Sequence, residues 1–187
     1  MQTYLGACVE LGPSDIDPDD VAAAKVTFLE GYLWDPPAAK EAFLKAADLA
    51  HNAGRDVALS LSDPFCVDRH RGDFVDLVKS HVDILFANED EIISLYQVET
   101  FEEAIRAVRG QCGVVALTRG ALGCVILKGN EVHRVPAEAI DNLVDTTGAG
   151  DAFAAGFLSG YTKGYDLDVA GRIGNISASE AISHIGA

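Results

Sequence analysis

Four short apolar runs, residues 26–29, 57–61, 83–87 and 114–118, recur along the first two thirds of the chain, each divided from the next by a helical stretch. Runs of this length without polar alternation suit strands buried on both faces, and a helix between two of them supplies the crossover that parallel pairing requires. The pattern therefore predicts an α/β fold: a mostly parallel sheet with helices on both faces. In residues 38–52, Ala42, Phe43, Ala46, Leu49 and Ala50 recur at helical spacing before the stop at Gly54. Residues 74–78 read as a short helix, and Thr100 with Glu103 forms a capping box for a helix to Val108. Lys128-Gly129-Asn130-Glu131 closes a hairpin between strands 124–127 and 132–135. The opening apolar segment, residues 1–12, reads as a further extended strand with an exposed edge beside residues 3–9.

In a sheet of this kind ligands bind beyond the carboxyl ends of the strands, so the residues just after each strand are the ones to search. The densest cluster is Asp145-Thr146-Thr147-Gly148-Ala149-Gly150-Asp151-Ala152-Phe153, which opens a helix over residues 148–163. Gly148, Ala149 and Gly150 let a backbone approach a ligand closely, and consecutive N–H groups at a helix N-terminus favour an anion. Asp151 stands directly after them. A carboxylate beside a bound phosphate is repelled by it, so its use is to take a proton from a hydroxyl that attacks that phosphate. No Gly-Lys-Ser or Gly-Lys-Thr follows a P-loop glycine, and the cluster lacks the third glycine of a dinucleotide fingerprint.

Asn88 and Glu91, three apart at the end of the third strand, put a carbonyl and a carboxylate on one side of a helical turn. They suit a hydrated hard cation, and equally an N-cap with first-turn acids. Thr118 and Gly120 end the fourth strand and could meet a phosphate or form an ordinary turn. Residues 30–35 leave the first strand with the single Trp and could form a substrate or interface loop, or pack Trp34 in the core, and Cys8, Cys66, Cys112 and Cys124, far apart, read as reduced core thiols. The small residues of helix 168–184 allow close approach to a neighbour.

Charge excludes some partners. With 14 basic and 29 acidic residues the formal net charge is −15, which argues against nucleic acid. No apolar run reaches the ~18 residues of a membrane span, and residues 1–12 lack a basic leader region, so a cytoplasmic protein is expected.

Taken together, residues 145–153, Asn88 with Glu91, and Thr118 through Gly123 resemble the PfkB, or ribokinase-like, carbohydrate kinase family, and the resemblance runs the length of the chain. It implies ATP-dependent phosphorylation of a hydroxymethyl group on a sugar or nucleoside. On that resemblance Asp151 is the catalytic base, and Gly148, Ala149 and Gly150 form the anion hole. Asn88 and Glu91 organise Mg²⁺ through water, and Thr118, Gly120 and Gly123 meet ATP phosphates. Asn175 lies on the helix lining the adenine pocket, and Asp145 with Thr147 matches a K⁺ position. The resemblance also implies that residues 1–187 form one ribokinase-like domain lacking the family's N-terminal strands and lid, a fragment of a longer kinase. A homodimer or association with the missing part is then expected. The alternative reading is a non-catalytic nucleotide-binding or interaction module.

Overall fold

The computed structural model describes residues 6–186. Six strands form one sheet whose spatial order equals the chain order: β1 (Val26–Glu30), β2 (Asp56–Ser60), β3 (Ile84–Asn88), β4 (Val114–Thr118), β5 (Cys124–Lys128) and β6 (Glu131–Val135). The first four pair in parallel, and β5 and β6 are antiparallel to their neighbours. Successive side chains of a strand point to opposite faces, and here both faces are covered.

On one face Leu29, Leu59, Leu85 and Leu117 pack with residues of the crossover helices, among them Phe43, Phe74, Ile92 and Ile105. Those helices are α2 (Pro37–Asn52), α3 (Pro64–Ser80), α4 (Glu89–Tyr96) and α5 (Phe101–Val108), preceded by the short α1 (Pro18–Ala23). On the other face Ala58, Ile84, Phe86, Ala116 and Ile126 meet Phe153, Phe157 and Ala170. These last belong to α6 (Ala149–Tyr161) and α7 (Leu167–Ala181). Phe153 and Phe157 are fully buried and set edge-on to Phe86, at 6.3 and 5.5 Å between ring centroids. Each such ring contributes roughly 1.5–3 kcal/mol by burial, and together they anchor the first turns of α6 over β3. Close contact between α6 and α7 depends on small residues, as the composition of the last helix suggested: a Cβ on Gly174 would sit 2.8 Å from the Phe153 ring.

Two expectations from sequence change. The opening segment is not a strand among the described residues. Gly6–Glu10 is a 3₁₀ turn, with Gly6 at φ 60°, and residues 1–5 lie outside the described part. This stretch has no strand beside it: Leu11 packs on the α2 side of the core, and the sheet edge is β1 instead. Helix α3 begins ten residues before the expected Phe74, because Asp63 caps it by accepting from the Phe65 N–H at 3.0 Å. Its start escaped the periodicity because α3 leaves helical geometry at His70 (φ −123°, ψ 26°), which breaks the apolar repeat. The remaining elements lie within a few residues of the sequence reading, and the capping box of α5 forms between Thr100 and Glu103.

Parallel pairing sets the carboxyl ends of β1–β4 along one side of the sheet. Glu30 pairs with Ser60 and Asn88 with Thr118, each being the last residue of its strand. The N-terminus of α6 arrives above that row.

Candidate active site

A cleft of about 620 Å³ opens between the strand ends and the start of α6. Glu30, Ser60, Asn88 and Thr118 line it from below, with Tyr32, Ser62, Phe86 and Glu91 beside them. Residues 146–151 line it from above. Helix α6 begins from Gly148, which takes the left-handed conformation at φ 75° and brings no side-chain cap to the helix start. Asp151 follows in the first turn and faces the cleft. The dipole of a 13-residue helix is thus aimed at the cavity, with a carboxylate beside it.

Asn88 and Glu91 form a reciprocal capping box at the start of α4. The Glu91 N–H donates to Asn88 Oδ1 at 2.9 Å, while Glu91 accepts from the Asn88 N–H and from Asn88 Nδ2, each at 2.8 Å. The capping reading and the cleft position therefore hold at once. Glu91 is 5% exposed, and burial pushes its carboxyl up to about 7 against the lowering effect of the Asn88 backbone. Each of these oxygens already accepts one hydrogen bond, leaving a second lone pair for a water. Among the described residues no group of three or more His, Cys, Asp or Glu could hold a metal ion directly. The donor set therefore fits a hydrated cation touched through water and does not fit a protein-built cage.

Glu30 is the residue that sequence reasoning missed. Burial, followed by the neighbouring charges of Asp151 and Glu91, raises its carboxyl to about 7. The Ser62 hydroxyl donates to that carboxylate and lies 3.2 Å from the Ser60 carbonyl oxygen. Ser62 holds this position at φ 68°, a left-handed conformation that costs a non-glycine residue about 1 kcal/mol or more and marks strained sites. Tyr32 stands beside this pair, its phenol raised by burial and then by Asp63 and Glu30. Three carboxylates, Glu30, Glu91 and Asp151, thus face one cavity. The sequence offered residues 30–35 as a substrate or interface loop or as core packing around Trp34, and gave Glu30 itself no role; the signal was its place at a strand end.

Of the other candidates, Thr118 and Thr147 line the cleft, while Asp145, Gly120, Gly123 and Asn175 do not. Asp145 accepts from the Thr147 N–H at 2.9 Å, and that bond holds its carboxyl below the usual range. Gly120 and Gly123 shape the turn between β4 and β5. Asn175 is buried and donates to the Pro136 carbonyl at 2.8 Å, tying α7 to the segment after β6. Trp34 is a core residue, and Cys66 and Cys124 are buried free thiols, as the sequence suggested, whereas Cys112 is only half-buried and Cys8, on the 3₁₀ turn outside the sheet, is exposed rather than in the core. No helix among the described residues is long and apolar enough to cross a membrane.

A helix N-terminus of small residues, a carboxylate in its first turn and an Asn–Glu pair that fits a hydrated cation share one cleft, a set of groups compatible with phosphoryl transfer to an alcohol. Comparison with known proteins gives that chemistry a family. The profile of the pfkB family carbohydrate kinases matches residues 3–187. A probable sugar kinase from Rhizobium etli superposes with a TM-score of 0.96 at 55% identity, over 98% of this chain and 56% of its own. The adenosine kinase from Sinorhizobium meliloti superposes equally well at 50% identity, with the same coverage. A putative ribokinase II from E. coli, solved with ATP and Mg²⁺, is 22% identical and shares the fold at a TM-score of 0.87, over 96% of this chain and 59% of its own. The chain spans about half the length of the curated relatives it matches, 47%, 42% and 57% in three cases.

Proposed function

The chain belongs to the pfkB family of carbohydrate kinases, and from that premise we propose that it carries the phosphoryl-transfer centre of an ATP-dependent kinase acting on a hydroxymethyl group of a nucleoside or sugar. The observation that carries this reading is the convergence of Asp151, the α6 N-terminus and the Asn88–Glu91 pair on one cleft. In the proposed step the acceptor hydroxyl oxygen attacks the γ-phosphorus of ATP in line. Asp151 takes the hydroxyl proton, and ADP leaves as the bond to its β-phosphate oxygen breaks. The N–H groups at Gly148, Ala149 and Gly150 stabilise the charge on the transferring group. Mg²⁺, when bound, would supply positive charge that offsets the charge of the phosphates. Asn88 and Glu91 would orient its waters, with Thr118 at the phosphates.

The cleft has two ends. The one bounded by Glu30, Ser60, Ser62 and Tyr32 offers hydroxyls and a carboxylate that suit a neutral polyol, while the other carries Asn88, Glu91 and Thr118, the groups assigned above to the hydrated cation and the phosphates. On that assignment the nucleotide takes the β3–β4 side and the acceptor the β1–β2 side. Gly120, Gly123 and Asn175 would act on the nucleotide side by shaping its turn and flanking helix. Asp145 and Thr147 would hold K⁺. Adenosine is the first acceptor to try, given the kinase from S. meliloti.

The test supplies the full-length protein with γ-labelled ATP, Mg²⁺ and either adenosine or a ribose-type sugar. Label transferred to the acceptor, with ADP formation that depends on it, is expected. Nucleotide binding without transfer to any acceptor would contradict the reading.

A further inference from the structure

The turn Gly31–Trp34 is held at three points outside the cleft. Behind Gly31 there is no room: a Cβ there would sit 2.7 Å from the carbonyl oxygens of Ser60 and Leu61, and the Cys66 thiol donates to the Gly31 carbonyl at 3.3 Å. Trp34 is buried against Phe43 and Phe74, at 5.5 and 5.9 Å between centroids, and its Nε1 donates to Asp73 at 2.9 Å. Lys40 Nζ donates to the same carboxylate oxygen at 2.6 Å and stands 5.3 Å from the indole centroid. At the far end Asp35 lies 2.6 Å from His70 Nε2 and accepts from Arg69 at 3.0 and 3.3 Å. His70 sits where α3 leaves helical geometry, and Lys40 Nζ, 3.5 Å from its Nδ1, joins the two anchors.

Exposed ion pairs contribute little to stability, so this many converging on one short turn need another reason than stability. Position supplies one. Tyr32 lies between the anchors and lines the cleft, as does Glu30 just before the turn. We infer that Trp34, Asp73, Lys40, Asp35 and His70 form a latch that fixes Tyr32 and Glu30 against the acceptor. They are positioning residues, which govern acceptor affinity and leave nucleotide affinity alone. This rests on the reading that the β1–β2 ends hold the acceptor.

Asp73→Ala in the full-length protein tests the latch, because it removes the partner of both the indole and Lys40. The KM for adenosine is expected to rise about tenfold while the KM for ATP and kcat stay within about threefold. Asp73→Asn, which keeps an acceptor for the indole N–H, should recover most of the loss. Trp34 emission, read in this 187-residue chain where it is the single Trp, should shift to the red in Asp73→Ala and return in Asp73→Asn. Should Asp73→Ala fail to fold, His70→Gln at the other anchor carries the same expectation. An adenosine KM unchanged although Trp34 emission shifts would overturn the proposal, and so would equal rises in both KM values. If the wild type transfers no phosphoryl group, the kinase reading fails, and the latch is judged by titration. Weaker adenosine binding in Asp73→Ala than in the wild type supports it; equal binding, or none in either, overturns it.

Discussion

The two walls of the cleft are built in opposite ways. The upper wall, residues 146–151, is one continuous piece of chain, mostly exposed and tied down by few side-chain bonds, of which the Asp145–Thr147 turn is one. The lower wall is assembled from the ends of four strands and two turns, with Glu91 buried, Ser62 strained and Glu30 raised in pKa. A wall that must approach a large anion benefits from bare backbone and small residues. One that grips a neutral acceptor benefits from fixed side chains on rigid elements. On the function proposed above, the upper wall carries the chemistry, while the lower wall is shared: its β1–β2 end chooses the acceptor and its β3–β4 end serves the cation and the nucleotide.

The comparison breaks most severely at Asp151. Asp151→Asn is expected to lower kcat by about 10²–10⁴-fold with ATP binding little changed, measured by steady-state kinetics and titration of the full-length protein. Glu91→Gln lies in the lower wall, at its β3–β4 end. It should raise the Mg²⁺ concentration for half-maximal activity by roughly 10–100-fold, the range for groups that act on a metal through its other ligands.

Gly123→Ala lies outside both walls and sharpens the contrast between scaffold and site. Gly123 has φ 85°, and a Cβ there would sit 2.1 Å from the Val135 carbonyl oxygen, so the β4–β5 turn must move. A loss of about 1–3 kcal/mol in denaturant unfolding is expected.

The smallest effect is a slope with pH. Glu30 and Glu91 have folded values near 7 against an ordinary 4.5. The folded chain thus holds more protons than the unfolded one between those values. The stability these groups contribute is complete below about pH 4.5 and is lost as pH rises through 7. Melting temperature should accordingly fall from pH 5 to pH 8, and Glu30→Gln should flatten part of that fall.

What was legible in the sequence follows the same division. The parallel core could be read because each strand is a contiguous apolar run, and the upper wall because its residues are neighbours in the chain. Asn88 and Glu91 were visible as an i, i+3 pair, and the capping box that orients them follows from that spacing. Glu30, Ser60 and Ser62 were not visible as a group. Glu30 is about thirty residues from the two serines and meets them only because β1 and β2 pair in register from Val26 with Asp56 to Glu30 with Ser60. The start of α3 was hidden by its break at His70, and residues 6–12 were misread as a strand, which needs a pairing partner that these described residues do not have.

The claim that the β1–β2 end of the cleft takes the acceptor and the β3–β4 end the nucleotide is tested most directly by calorimetric titration of Glu30→Ala and Asn88→Ala with adenosine and with ATP·Mg²⁺. Glu30→Ala should weaken adenosine binding by at least about tenfold and leave ATP·Mg²⁺ within about threefold, with the pattern reversed for Asn88→Ala. Equal weakening of both ligands by either variant, or loss of ATP·Mg²⁺ binding in Glu30→Ala alone, would contradict the account.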